Sequence, residues 1–273
     1  MDSDHYAQAH AVYRAMARGE LGSDLRLGLN LGFYRTFAVP GIARILAGTG
    51  KMTARPQARA KATGALIYTL IDHGPHHPAG ARAVTTLNHL HAGLPAGDDE
   101  FVYVLAAFCV APLHWIDAYG RRPTTPQEKT SAHAFYADLG QRMNLPAIPG
   151  SFGELEAWMD AYERRHFGVT AEGRALMTAT RNLLTDRFPR VLAPLVHAGT
   201  NALFDTRFLE AMGASPPAWP VRVLVRAALR VRAWNAARGR GRRLGARGHE
   251  QGRPSSSPHR RATGRERPAT EGP

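Results

Sequence analysis

The chain has one cysteine, Cys109, in 273 residues. That count excludes an internal disulfide and any zinc or iron–sulfur centre built on several thiolates. A reducing compartment suits it. The opening residues, MDSDHYAQAH, begin polar and acidic and lack the apolar run of a secretory signal. Long hydrophobic runs are also scarce. The longest uncharged stretch, FVYVLAAFCVAPLHWI (101–116), is shorter than the roughly 20 apolar residues that cross a bilayer. It is expected to be a core helix, with His114 inside, and the chain to be cytoplasmic. No glycine-rich nucleotide loop and no GxSxG elbow occurs, and no segment alternates apolar with polar residues, so strands are expected to be few or absent.

Acidic residues are scarce at one end. The formal net charge is +13, but the stretch from Val221 onward holds 14 Arg against 3 Glu, so it carries +11 and the preceding 220 residues only +2. A basic balance confined to the tail makes contact with an anionic membrane conceivable there and nowhere else, and nucleic acid is not an expected partner of the body.

What remains is a succession of helix signals. HYAQAHAVYRAMARG reads as a first helix ending at Gly19, and FYRTFAVPGIARILA as a second, bent or split by Pro40. Pro56 and Pro78 open the third and fourth helices, which close at Gly74 and Gly93. Asp98 and Asp99 precede the apolar run, where a helix start favours negative charge. Thr125-Pro126-Gln127-Glu128 and Ser151-Phe152-Gly153-Glu154 are capping boxes, Thr170 caps another helix, and Pro189 starts a last core helix through about Met212. The expected fold is all-α: one globular multi-helix domain over residues 1–214, a basic amphipathic helix over 215–238, and a disordered Arg/Gly/Pro-rich tail over 239–273.

Two places invite chemistry. On the third helix Arg59 and Thr63, four apart, head a face that continues as Leu66, Ile67 and Leu70. A guanidinium on an apolar stripe either finds a partner or snorkels out from the helix start. In TTLNHLHAG, His89 and His91 lie about 200° apart on a helix. His91 shares a face with Val84, Leu87 and Asn88, whereas His89 sides with Arg82, Thr85 and Thr86, so His91 is expected inside. There it is either a core imidazole bonded to a carbonyl or a metal or haem ligand. The histidines between His73 and His91 could instead hold a non-haem metal, although they lack an i,i+4 pairing within one helix or an HExxH pairing.

Taken in order, GFYRTFAVPGIARILAGTG, RAKATGALIYTLIDHG, TTLNHLHAG, DDEFVYVLAAFCVAPLHWIDAYGRR and QRMNLPAIPGSFGELEAWMDAYERRHF resemble the MpaB-type oxygenase family, whose relatives include the latex clearing proteins. The resemblance spans roughly residues 30–210. It implies a helical fold enclosing a b-type haem, with dioxygen as co-substrate and oxidative cleavage of C=C bonds in an apolar, isoprenoid-like small molecule. It makes His91 the iron ligand and the Arg59–Thr63 pair the distal, catalytic residues. Two departures stand out: Ala62 holds the place of a lysine that directly precedes the threonine in rubber-cleaving relatives, with Lys61 on another side, and Thr85 and Thr86 stand where an arginine often occurs. Arg82, a turn farther back, is expected to take over as a propionate partner, and Arg82 and Asn88 complete the cofactor-facing set with His91. A haem-binding protein of the same fold without catalysis is the alternative.

Overall fold

In a computed structural model of the chain, the residues described are 3–50, 56–146, 148–185 and 193–250, with side chains of the last helix described to Asn235. Among them there is no strand, as expected. The helices are α1 (Ser3–Arg18), α2 (Gly22–Arg35), a 3₁₀ turn (Thr36–Ala38), α3 (Pro40–Gly48), α4 (Pro56–His73), α5 (Pro78–His91), α6 (Asp98–Tyr119), α7 (Pro126–Arg142), α8 (Phe152–His166), α9 (Ala171–Thr185), α10 (Ala193–Asn201), α11 (Thr206–Ala211) and α12 (Trp219–Glu250).

The start signals act at the anticipated residues, although only the first box closes fully, since Glu154 Oε2 accepts from the Gly150 amide at 2.8 Å and not from that of Ser151. Thr125 Oγ1 accepts from the Glu128 amide at 3.1 Å while Glu128 Oε2 accepts from the Thr125 amide at 2.8 Å, closing the capping box of α7. Ser151 Oγ caps α8, and Thr170 Oγ1 accepts from the Gly173 amide at α9. His77 caps α5 by accepting from the Ala79 amide at 3.2 Å.

α6 is the centre of the body. Its positions Val102, Tyr103, Leu105, Cys109, Leu113 and Ile116 are buried. It is long and apolar enough to span a membrane by length and composition, yet 61% of that window is buried inside the protein, as a core helix requires. α2 lies along it, and the approach depends on absent side chains. A Cβ on Gly28 would sit 2.4 Å from Pro112 Cα, and one on Gly32 would sit 2.4 Å from the Ala107 carbonyl oxygen. Glycines i and i+4 thus form the groove that receives the core helix.

Four boundaries differ from the sequence expectation. The second helix starts at Gly22, ahead of the expected position near 33, while Pro40 splits it, one of the two expected outcomes, and starts a separate helix. The expected helix from Pro189 to Met212 is two helices, the second capped by Asp205, whose Oδ1 accepts from the Phe208 amide at 3.0 Å; Pro189 itself lies outside the described residues. His114 is exposed and pairs with Glu156, because the position after the buried Leu113 turns to the outer face of α6. The chain divides into units at Trp234/Asn235, so the body extends past residue 214 into α12. There Leu229 packs against the core and Arg232 donates to the buried Asp24. Helix continues to Glu250, past the Gly239 at which disorder was expected. Residues 251–273 lie outside the described residues.

Candidate functional site

α4 and α5 pack against each other. The intervening Gly74 has φ +74°, in the left-handed region that glycine tolerates, and a Cβ on Gly80 would sit 1.8 Å from the Gly74 carbonyl oxygen, so the two helices leave a tight corner. From Arg59 to His73 the chain climbs about 21 Å, and from Pro78 to His91 it returns about 20 Å, at the helical rise per residue. The hairpin therefore brings His91, the last residue of α5, back to the level of the first turns of α4, where Arg59 and Thr63 sit.

The electrostatics record this proximity. The His91 imidazole is held below the usual histidine range, first by burial and then by the charge of the Arg59 guanidinium. It is therefore neutral at physiological pH, the form that ligates metals. Its Nδ1 is buried and finds no hydrogen-bond partner among the described residues. The ring also contacts Phe101 of α6, with centroids 5.3 Å apart.

Arg59 is half-buried, and burial pulls its guanidinium down. Among the described residues it makes no ion pair. Its Nη1 donates to Thr63 Oγ1, and the Thr63 hydroxyl in turn donates to the Arg59 carbonyl at 3.0 Å. The single hydroxyl proton of Thr63 is thus committed to its own helix, so Thr63 holds Arg59 and has no proton left to donate to a ligand. A guanidinium withdrawn from water with no carboxylate beside it is an unfavourable arrangement that an acceptor ligand would relieve.

The walls are apolar. On α6, Phe101, Val104 and Phe108, at i, i+3 and i+7, remain half-buried while their neighbours are fully covered. Phe33 of α2 stacks near Phe108, centroids 6.4 Å apart. Leu66 and Ile67 on α4 and Leu87 on α5 are likewise half-buried.

Two expected members do not join. Arg82 is exposed, and nine residues at about 100° each place it on the side of α5 opposite His91. Asn88 shares the His91 face, but its Nδ2 donates to the Arg142 carbonyl at 3.0 Å and ties α5 to the end of α7. The His73–His91 group does not assemble either: His73 stacks on His77, centroids 4.9 Å apart, His76 is bonded to Asp138 and Arg142, and His89 is exposed. Among the described residues no three His, Cys, Asp or Glu side chains are arranged to hold a metal ion.

The structure also shows groups without a local sequence signal. Arg181 on α9, a helix that packs against both α3 and α4, is a second half-buried guanidinium, pulled down by burial. Its Nε has no partner among the described residues, and Nη2 donates to Asn201. Elsewhere, a cleft of about 1000 Å³ opens between α6, α8 and α11, lined by Arg35, Trp115, Glu163 and Arg207 among others but by none of Arg59, Thr63 and His91. Its charges satisfy one another. Arg35 Nε donates to Glu163 Oε1 at 2.7 Å, Tyr103 OH donates to the same oxygen at 3.1 Å, and Arg207 pairs with Asp160 at 2.7 Å. Burial alone would lower the Arg35 pKa, but Glu163 and Asp205 outweigh it and raise it. This network fastens α2, α6, α8 and α11 together. The candidate chemistry is instead at His91, whose buried Nδ1 lacks a partner among the described residues, and at Arg59, which makes no ion pair among them.

Residues 25–236 match the family described as ER-bound oxygenase mpaB/B′/rubber oxygenase, catalytic domain. Among curated proteins the chain is 26% identical to an ER-bound oxygenase mpaB of Penicillium roqueforti (strain FM164) over 198 residues, 66% of each chain. It is 24% identical to an ER-bound oxygenase mpaB′ of Penicillium brevicompactum over 233 residues, 78% of this chain and 55% of that relative. The chain therefore spans between about half and two thirds of the length of these relatives.

Proposed function

The chain belongs to the family of mpaB/B′ and rubber oxygenase catalytic domains, and from that premise we propose that it is a haem b-dependent oxygenase that cleaves a C=C bond of an apolar, isoprenoid-like substrate. The observation that supports this most is the pairing of a neutral, partly unsatisfied imidazole with an ion-pair-free guanidinium beside an apolar stripe. The residues present fit a haem: His91 offers a ring nitrogen without a protein partner, and Phe101, Val104, Phe108, Leu66 and Ile67 offer apolar faces suited to a macrocycle. Arg181 replaces Arg82 as the side chain proposed to meet a propionate.

When bound, the haem iron supplies the electrons that make dioxygen reactive towards an alkene, a reaction that converts one C=C bond and one O₂ into two carbonyl groups. His91 would hold the iron through a ring nitrogen, kept deprotonated by burial and by Arg59. Arg59 presents N–H donors to an oxygen atom that gains negative charge, in surroundings poor in competing water. Thr63 fixes the orientation of that guanidinium through its two hydrogen bonds to Arg59. The apolar walls favour a hydrocarbon chain and exclude water from it.

The test is oxygen uptake by the purified chain loaded with haem b, assayed with short polyprenyl alcohols and with carbonyl products trapped as hydrazones. Uptake with carbonyl formation is expected. Haem binding without oxygen uptake across a range of apolar alkenes would assign the alternative, a non-catalytic haem-binding protein.

A further inference from the structure

α12 presents an apolar face to solvent. Trp219 is 74% exposed, Leu224 66%, Val231 55%, and Val223 and Trp234 54% each. Placed at about 100° per residue, Trp219, Val223, Trp234, Ala227, Val231 and Leu224 fall in one sector about 140° wide. The opposite side faces the body: Val221, Val225 and Leu229 are half-buried, and Arg232 donates to Asp24, which is 1% exposed. The docked face fixes which way the other one looks. Along one edge of the apolar sector run Arg222, Arg226 and Arg230, all exposed, at i, i+4 and i+8. From Trp219 to His249 the helix contains no acidic residue, whereas it contains nine arginines.

We propose that this face of α12 seats the protein on an anionic lipid surface. An outward sector of tryptophan, valine and leucine bordered by arginines has the pattern of a helix lying in the membrane interface, with indole rings at headgroup level and guanidinium groups on lipid phosphates. A nucleic acid would be met by the arginines but would gain nothing from the aliphatic sector, and a second copy of the chain would bring its own arginine edge against this one. The charge complementarity therefore singles out lipid headgroups.

The full-length chain is tested by flotation with phosphatidylcholine vesicles, with and without added phosphatidylglycerol. It is expected to float with the anionic vesicles, with affinity falling as salt is raised. Leu224→Glu/Val231→Glu is expected to weaken binding roughly tenfold or more. Arg222→Gln/Arg226→Gln/Arg230→Gln is expected to weaken it roughly a hundredfold, at about one Arg-sized increment each. Both variants should keep the far-ultraviolet circular dichroism of the parent. Because these side chains point to solvent, a folding defect in one set leaves the other as the test. Failure of the parent to float, flotation undiminished by both sets, or the appearance instead of a dimer or a nucleic-acid complex that either set dissolves would overturn the proposal.

Discussion

Arg59 and His91 stand within electrostatic reach of each other at the open end of the α4–α5 hairpin, and the guanidinium adds to burial in keeping the imidazole neutral. Neither side chain has a charged protein partner among the described residues. That shared lack is what singles the pair out as the candidate site.

Replacing Arg59 separates the two roles. Arg59→Met removes a half-buried cation without a carboxylate, so the unfolding midpoint should stay level or rise. Turnover should fall by roughly 10²-fold, the loss that follows removal of one oriented donor to developing negative charge. Denaturant titration and oxygen uptake on the same preparation check both halves.

Thr63 acts through Arg59. Thr63→Val keeps the shape and deletes both hydroxyl contacts, so turnover should drop about tenfold, as for other outer-shell partners. Thr63→Ser restores the hydroxyl and should recover most of it. A Val variant as fast as the parent would show that Arg59 needs no support.

Much of this hairpin was open to sequence reasoning, because its determinants are local. Pro56, Pro78 and Gly74 lie within one stretch of chain, and the Arg59/Thr63 and His91 faces follow from helical spacing. Contacts from distant segments were not open in the same way. Asn88 sits on the His91 face, yet its amide is claimed by Arg142, 54 residues away. Gly28 and Gly32 look like helix breakers in isolation, and only the close approach of Pro112 and Ala107 explains them. Arg35 meets Glu163 across 128 residues, with no periodicity to announce it.

The Arg35 network should prove structural. Arg35→Met leaves Glu163, 3% exposed, without its guanidinium, and should destabilise the fold by about 3–5 kcal/mol. Chemical denaturation measures this directly. Haem uptake at temperatures below unfolding should be preserved.

Acid should weaken the fold through His91. Its folded pKa lies below the unfolded value, so the unfolded chain binds the extra proton first. This contribution is fully present above the unfolded histidine pKa of about 6.5 and is lost as pH falls through the depressed folded value. His10 is depressed as well, by burial first, and adds to the same trend. His91→Gln should flatten the dependence of the urea midpoint on pH below about 6.5 by one group's share, leaving the share of His10. An unchanged slope would mean that His91 is as readily protonated folded as unfolded.

The most direct measurement is the visible absorption spectrum of the purified chain titrated with haem b, before and after dithionite, compared with that of His91→Ala. The parent should take up one equivalent and show a sharpened, shifted Soret band that moves again on reduction. The Ala variant should lose that band and regain it with added imidazole. A variant that binds haem with the same Soret band as the parent would contradict the assignment of His91 as the axial ligand.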